Sequence, residues 1–233
     1  MKNEYIYILL IKFVILIKNF YNNLLLLYYM PEKPRSIPDW NMLYKNEDVT
    51  TMLWYNENLD FDIKEEFDKR GISANVCGNK FLDLGTGPGT QAIQLSCLGF
   101  EVTAIDISEY AIEKAKKLSD KVKFIVDDIL DTKLGNEEFD YIFDRGCFHG
   151  ISPDDRNRYV RNVKDILKKD GILFLKCFSE KELREEGPYR FSPDKIKKIF
   201  GSDFEILSIK ETDYSGDVDP VPPKALFVVM RKN

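Results

Sequence analysis

The sequence holds a single histidine, His149. That excludes a histidine-based metal cluster, and no metal site is expected. Cysteine is sparse as well. Cys77, Cys97, Cys147 and Cys177 are scattered without a CxxC pair, each in or beside an apolar segment. Buried free thiols in a reducing cytoplasm are the expectation, not disulfides. No basic block occurs: 34 Lys and Arg are interspersed with 39 Asp and Glu, for a formal net charge of −5. The clustered cations that grip a nucleic-acid backbone are therefore missing, and no nucleic-acid partner is expected. Internal repeats are absent too. What remains, 233 residues of which 44% are hydrophobic, suits one globular domain with an appendage.

The appendage is marked by its own absences. Residues 1–29 contain no Gly, Pro, Ala, Asp, Ser, Thr or Arg, and consist almost wholly of Ile, Leu, Tyr, Phe, Lys and Asn. A spanning helix needs about 20 mostly apolar residues, and Lys12, Lys18, Asn19, Asn22 and Asn23 interrupt this run. A signal peptide needs a small-residue cleavage site, which is missing. Three readings stand: translated upstream sequence with the start at Met30 or Met42, a membrane anchor, or a packed native helix. Membrane contact is expected only if this segment is native. The domain is then 30–233, with a helical lid over 30–70 and a core over 71–233.

From Asp62 onward the pattern alternates. A helix is expected over 62–71, with Asp62 as its cap and Gly71 as its stop. Strands are expected at KFLDL, EVTAIDIS, VKFIVDD, FDYIFD and GILFLKCF, and helices at TQAIQLSCLG and SEYAIEKAKKL. Ser152-Pro153-Asp154-Asp155 reads as a helix start, and Ser192-Pro193 as another. FEILSIKETDY and KALFVVMRK close the chain as two strands joined by the Pro-rich turn DVDPVPP. This predicts an α/β fold: a doubly wound, Rossmann-like, seven-stranded, mostly parallel sheet with an antiparallel last strand and helices on both faces. Its ligand site would lie beyond the carboxyl ends of the strands, where the strand order switches.

The stretch FLDLGTGPGT carries the chemistry. Gly85, Gly87 and Gly89 give GxGxG, and Thr90 occupies the sixth position where a dinucleotide fingerprint has Gly or Ala. A pyrophosphate at the following helix N-terminus would be repelled by Asp83, whereas a cation would be attracted. Asp106 closes the second strand at close to the roughly 20-residue spacing at which an acid holds ribose hydroxyls. It could equally cap the helix starting near Ser108. The crevice fits a nucleoside with a positive group and no phosphate, which describes S-adenosylmethionine. A nicotinamide-linked oxidoreductase is the rival enzyme class, and Asp83 and Thr90 argue against it.

DLGTGPG resembles motif I of class I S-adenosylmethionine-dependent methyltransferases, VTAIDIS their second motif, and FIVDDILD their adenine-contacting segment. FDYIFDRGCFHGISPDDRNRYVRNVKDILKKDGILFLKCFS is similar to the thiopurine and thiol S-methyltransferase group. The resemblance implies that Asp83 faces the methionine ammonium and that Gly85, Thr86, Gly87 and Gly89 form the cofactor loop. Asp106 would take the ribose hydroxyls and Ile107 the adenine face. Asp128 would accept from the adenine amino group, with Ile129 beside it. Asp144 and Arg145 would lie under the methionine end, and Trp54 in LWYNENLDFD over the cofactor. His149 and Asp144 are the candidate bases if the acceptor needs one; His149 could equally be a satisfied buried histidine. The implied reaction is methyl transfer to a small-molecule nucleophile, with a thiol favoured. An oxygen or nitrogen acceptor, or a binding protein without transferase activity, is the alternative.

Overall fold

The computed structural model describes residues 17, 18, 32, 35–75, 79–214 and 221–233. The chain divides into two units, 1–34 and 35–233, and the elements named below belong to the second. The expectations for residues 1–29 (Ile17 and Lys18 apart), for Cys77 and for most of the Pro-rich turn lie outside the described residues. Among the described residues no helix is long and apolar enough to cross a membrane, and no group of His, Cys, Asp and Glu could hold a metal ion.

Helix α1 spans Trp40–Asn46 and α2 spans Phe61–Arg70. Alternation then sets in: β1 Lys80–Leu84, α3 Thr90–Cys97, β2 Glu101–Asp106, α4 Glu109–Leu118, β3 Lys123–Val126, β4 Phe139–Arg145, α5 Arg156–Ile166, β5 Leu167–Phe178, α6 Pro193–Phe200, β6 Phe204–Asp213 and β7 Lys224–Lys232. The sheet order is β3-β2-β1-β4-β5-β7-β6. β1 to β5 are parallel, and β7 runs antiparallel to both β5 and β6.

Local chemistry sets the helix ends. Ser108 accepts from the Ala111 N–H to start α4. Ser192 accepts from the Lys195 N–H to start α6, with Pro193 at the first position. α2 stops where Gly71 turns left-handed at φ 65°. Its cap is Asp60, not Asp62: the Asp60 carboxylate accepts from the Asp62 N–H, which moves the start back to Phe61. Ser152 to Asp155 form a turn instead of a first helical turn. There the Ser152 hydroxyl bonds the Asp155 carboxylate, and α5 begins at Arg156 without a side-chain cap.

Strand alternation divides the core in two. Leu82, Ile142, Leu173, Leu175 and Val228 pack under α5 and α6. Phe81, Ala104, Phe143, Phe174 and Phe227 pack under α2, α3 and α4. The second layer is ringed by aromatics: Phe81 stacks on Phe174 at 6.4 Å, and Phe67 of α2 meets both edge-on. Truncating such a buried ring costs about 3–5 kcal/mol, so α2 is fixed firmly beside the sheet. Of the described cysteines, all free, Cys177 is buried and Cys147 half-buried, while Cys97 is exposed. The expectation of burial fails for Cys97 because it sits in the last turn of α3, facing solvent.

Candidate active site

The strand order reverses between β1 and β4, and the turn leaving β1 opens into that gap. Gly85 and Thr86 both donate their N–H to the Ile105 carbonyl at 2.9 Å, which ties the loop to β2. Gly85, Gly87 and Gly89 have φ of 70°, 53° and 83°, a region other residues enter only with strain. Space adds a second constraint. A Cβ on Gly85 would stand 2.7 Å from the Cys147 Cβ, one on Gly87 2.6 Å from the Tyr44 hydroxyl, and one on Gly89 2.8 Å from the Phe124 ring. Each glycine therefore meets a different wall: the turn after β4, helix α1, and the packing of β3 against α4.

Carboxylates converge on this loop. Asp83 is buried and accepts from the Thr86 hydroxyl at 2.5 Å. Burial pushes its pKa up to about 7, with the Thr86 bond opposing and Asp144 adding to the rise. Asp106 accepts from the Gly87 N–H at 2.8 Å through Oδ2 and from the Ser108 N–H at 2.9 Å through Oδ1. Burial raises its pKa as well. It thus braces the loop from the end of β2, while Ser108 itself caps α4. Ile107 beside it is exposed. Asp128 accepts from the Leu130 N–H at 2.9 Å. Asp127 accepts from the Thr132 hydroxyl at 2.5 Å. The Ile129 side chain is buried in the layer under α5. Cys147 lies where the fields of Asp144, Asp106 and Asp128 overlap, and burial and those charges push its thiol well above the ordinary value. The crevice is acidic, as a cationic ligand requires.

The turn after β4 is built by Asp144. Its Oδ1 accepts from the N–H groups of Gly146 at 3.0 Å and Cys147 at 2.8 Å. Its Oδ2 accepts from the Phe148 N–H at 2.9 Å and from the Tyr159 hydroxyl. Burial pushes its pKa up to about 6, and these bonds oppose the rise. His149 stands behind Gly146 against Phe178 and Tyr214, with ring centroids at 4.9 and 5.7 Å. Its Nδ1 accepts from the Phe178 N–H at 3.3 Å. Burial and the Arg145 guanidinium push its pKa down to about 3. A neutral imidazole whose Nδ1 accepts carries its proton on Nε2, so the nitrogen nearer Gly146 is a donor.

Sequence reading named Arg145 and Trp54 but missed the groups that hold them, Asp60, Lys176, Gln91 and Tyr214. Arg145 donates to Asp60 Oδ2 at 2.8 Å and to the Trp54 carbonyl at 2.9 Å, and its guanidinium lies 5.2 Å from the Tyr214 ring centroid. Lys176, buried in β5, reaches both Asp60 oxygens at 3.0 and 2.9 Å and Asp62 Oδ2 at 2.7 Å. Tyr214 donates to the Lys176 carbonyl at 2.6 Å. The available clue was a lysine inside the apolar strand GILFLKCF. Opposite, Gln91 of α3 accepts from the Asp60 N–H at 2.8 Å and donates to the carbonyls of Asn58 at 2.9 Å and Asn56 at 3.3 Å. The strap 54–60 is thus held from the helix that follows the glycine loop on one side and from β4 and β5 on the other. Trp54 donates to the Tyr44 hydroxyl at 3.3 Å and meets Trp40 edge-on at 5.9 Å, which closes the lid over Gly87.

A doubly wound sheet, a glycine loop that leaves no room for a Cβ at any of its three glycines, and a buried acid with a raised pKa fit a cationic nucleoside at the switch point. Residues 81–171 match the family model described as a methyltransferase domain. The chain is 40% identical over 103 residues to an uncharacterized methyltransferase of Schizosaccharomyces pombe, covering 42% of this chain and 71% of that one. It is 30% identical over 138 residues to thiocyanate methyltransferase 1 of Brassica oleracea, covering 56% of this chain and 61% of that one. The fold is shared with the crystal structure of Burkholderia thailandensis 1,6-didemethyltoxoflavin-N1-methyltransferase, which holds 1,6-didemethyltoxoflavin and S-adenosylhomocysteine. The TM-score is 0.61 at 18% identity, over 87% of this chain and 94% of that one. The chain belongs to the class I S-adenosylmethionine-dependent methyltransferases.

Proposed function

We propose that the methyl acceptor is a small, soft nucleophile, with a thiolate favoured. The observation that carries this reading is the lack of a placed proton acceptor among Asp144 and His149. Both Asp144 oxygens are taken by the N–H groups of the β4 turn and by Tyr159. The His149 Nδ1 is taken by the Phe178 N–H, and a pKa pushed down to about 3 makes the imidazole too weak a base to draw a proton from an alcohol or an ammonium. An alcohol or a protonated amine needs a base. A thiol is a few per cent thiolate at neutral pH and needs none. The likeness to a thiocyanate methyltransferase, whose name points to a sulfur-bearing acceptor, supports the same reading.

S-Adenosylmethionine supplies an electrophilic methyl on sulfonium; the protein's part is to hold, orient and exclude water. Asp83 would hold the ammonium, with Gly85, Thr86, Gly87 and Gly89 lending backbone. Asp106 would hold the ribose hydroxyls, Ile107 the adenine face, and Asp128 with the Ile129 N–H the adenine edge. Trp54 and Tyr44 would close over the loop. Asp144 acts as a positioning residue that sets the turn, and Arg145 positions the strap at the methionine end.

The test is release of S-adenosylhomocysteine from S-adenosylmethionine with a panel of thiol, halide, amine and alcohol acceptors. Turnover of thiols above the rest is expected. Turnover of an amine or alcohol with none for thiols would reject the soft-acceptor reading and leave the family assignment intact.

A further inference from the structure

We propose that Gln91 is a positioning residue of the transfer reaction, coupling the cofactor loop to the strap that closes the acceptor side. Gln91 lies in the first turn of α3, directly after the glycine loop, and is 5% exposed. A carboxamide offers two donors and one acceptor oxygen. Here both donors and the oxygen are spent on the strap backbone, at Asn56, Asn58 and Asp60.

The strap carries this registration in two directions. Asp60, fixed through its N–H by Gln91, presents its carboxylate to Arg145 and Lys176. Arg145 in turn grips the Trp54 carbonyl at the start of the strap. Trp54 holds the Tyr44 hydroxyl that stands over Gly87. The chain of contacts therefore leaves the glycine loop through α3, crosses the strap, and returns to the same loop through the lid. A ligand that orders Gly85 to Gly89 orders α3's first turn, and Gln91 passes that order to Asp60 and Arg145. This inference rests on cofactor binding and not on the acceptor reading, so an unexpected acceptor in the panel would leave it standing.

The chain has two tryptophans, Trp40 and Trp54, and both belong to the lid, so selectively excited tryptophan emission reports the lid alone. S-Adenosylhomocysteine is the probe. In the wild-type protein it is expected to change that emission and to slow amide exchange at Asp60 more than in the middle of α2. Gln91→Met keeps length and volume and removes all three bonds. It is expected to bind S-adenosylhomocysteine about tenfold more weakly, since three buried hydrogen bonds of modest net worth are lost. Its Asp60 amide is expected to gain no added protection at saturation, with the far-ultraviolet dichroism of the wild type. A folded Gln91→Met with wild-type affinity and wild-type protection of Asp60 by the probe would overturn the proposal. If that variant does not fold, the wild-type exchange data decide: protection of Asp60 by the probe supports the coupling, and an Asp60 amide indifferent to the probe overturns it.

Discussion

Lys176→Met is the most informative perturbation of the fold around the site. Lys176 is 1% exposed, and its ammonium touches two carboxylates, Asp60 and Asp62, that are themselves 0% and 1% exposed. Removing one partner of a buried pair costs about 3–5 kcal/mol, because the other charge stays buried. Each carboxylate keeps some compensation here. Asp60 retains Arg145, and Asp62 retains Thr212 at 2.8 Å and the half-exposed Lys210 at 3.1 Å. The lower end, about 3 kcal/mol, is therefore expected. For a domain of 150–250 residues that is a fall of roughly 6–12 °C in melting temperature. Calorimetry and urea unfolding measure it. Adding Asp62→Asn removes the stranded charge and is expected to restore at least half the loss. The acid side checks the sign. Burial would raise the Asp60 pKa, yet Lys176 and Arg145 outweigh it and hold the group below its ordinary value. That stability is present above the ordinary carboxylate range and is lost as the pH falls through the lowered pKa. Wild type and variant should thus converge in acid. A single variant within about 1 kcal/mol of wild type, or a double variant no more stable than the single, would refute the reasoning.

Asp83 predicts how cofactor affinity follows pH. Its pKa is raised to about 7, so the ligand-free protein holds this proton more tightly than the unfolded chain. Its stability should fall as the pH climbs from the carboxylate range towards 7, while a cationic ligand needs the ionised form. Titration calorimetry should therefore show S-adenosylmethionine binding weaken by about fivefold from pH 7 to pH 6, and a flat profile would remove Asp83 from the ammonium site. Gly87→Ala should destabilise by more than the roughly 1–2 kcal/mol of a left-handed residue, because its Cβ also meets the Tyr44 hydroxyl at 2.6 Å. Adding Tyr44→Phe should recover only the steric part of the lost melting temperature, and complete recovery would show that the backbone conformation costs nothing.

The parts of this molecule that could be read in sequence are those governed by near neighbours. Ser108 and Ser192 announce their helices within three residues, and the alternation of Phe81 and Asp83 with Leu82 and Leu84 announces a strand with two buried faces. The glycine loop is a local constraint of the same kind. Asp106 was legible as a loop-end acid, yet its engagement with the Gly87 N–H depends on a contact across 19 residues. Lys176 lies 116 residues from Asp60, and no periodicity records such a partner. Gln91 looks like an ordinary helix residue until Asp60, 31 residues earlier, is brought against it. Asp144 and His149 were picked for their residue types, and their roles turned on which lone pairs the turn and β5 had already claimed. Boundaries shifted where two acids competed for one cap, as at Asp60 and Asp62.

The strand order also governs how the molecule can be assembled during synthesis. β7 lies between β5 and β6, although every one of its residues is made after those of β6. Until Lys224–Lys232 has emerged, β6 has no partner to pair with, and β5 presents the backbone edge beside Lys176 to solvent. The nascent chain can complete β1 to β4 and their helices early, but it carries an unpaired apolar strand until β7 has been made. Such edges invite pairing with other chains. Slow release, or a lesion that weakens β7, would thus send this protein towards aggregation before its catalytic crevice is ever complete.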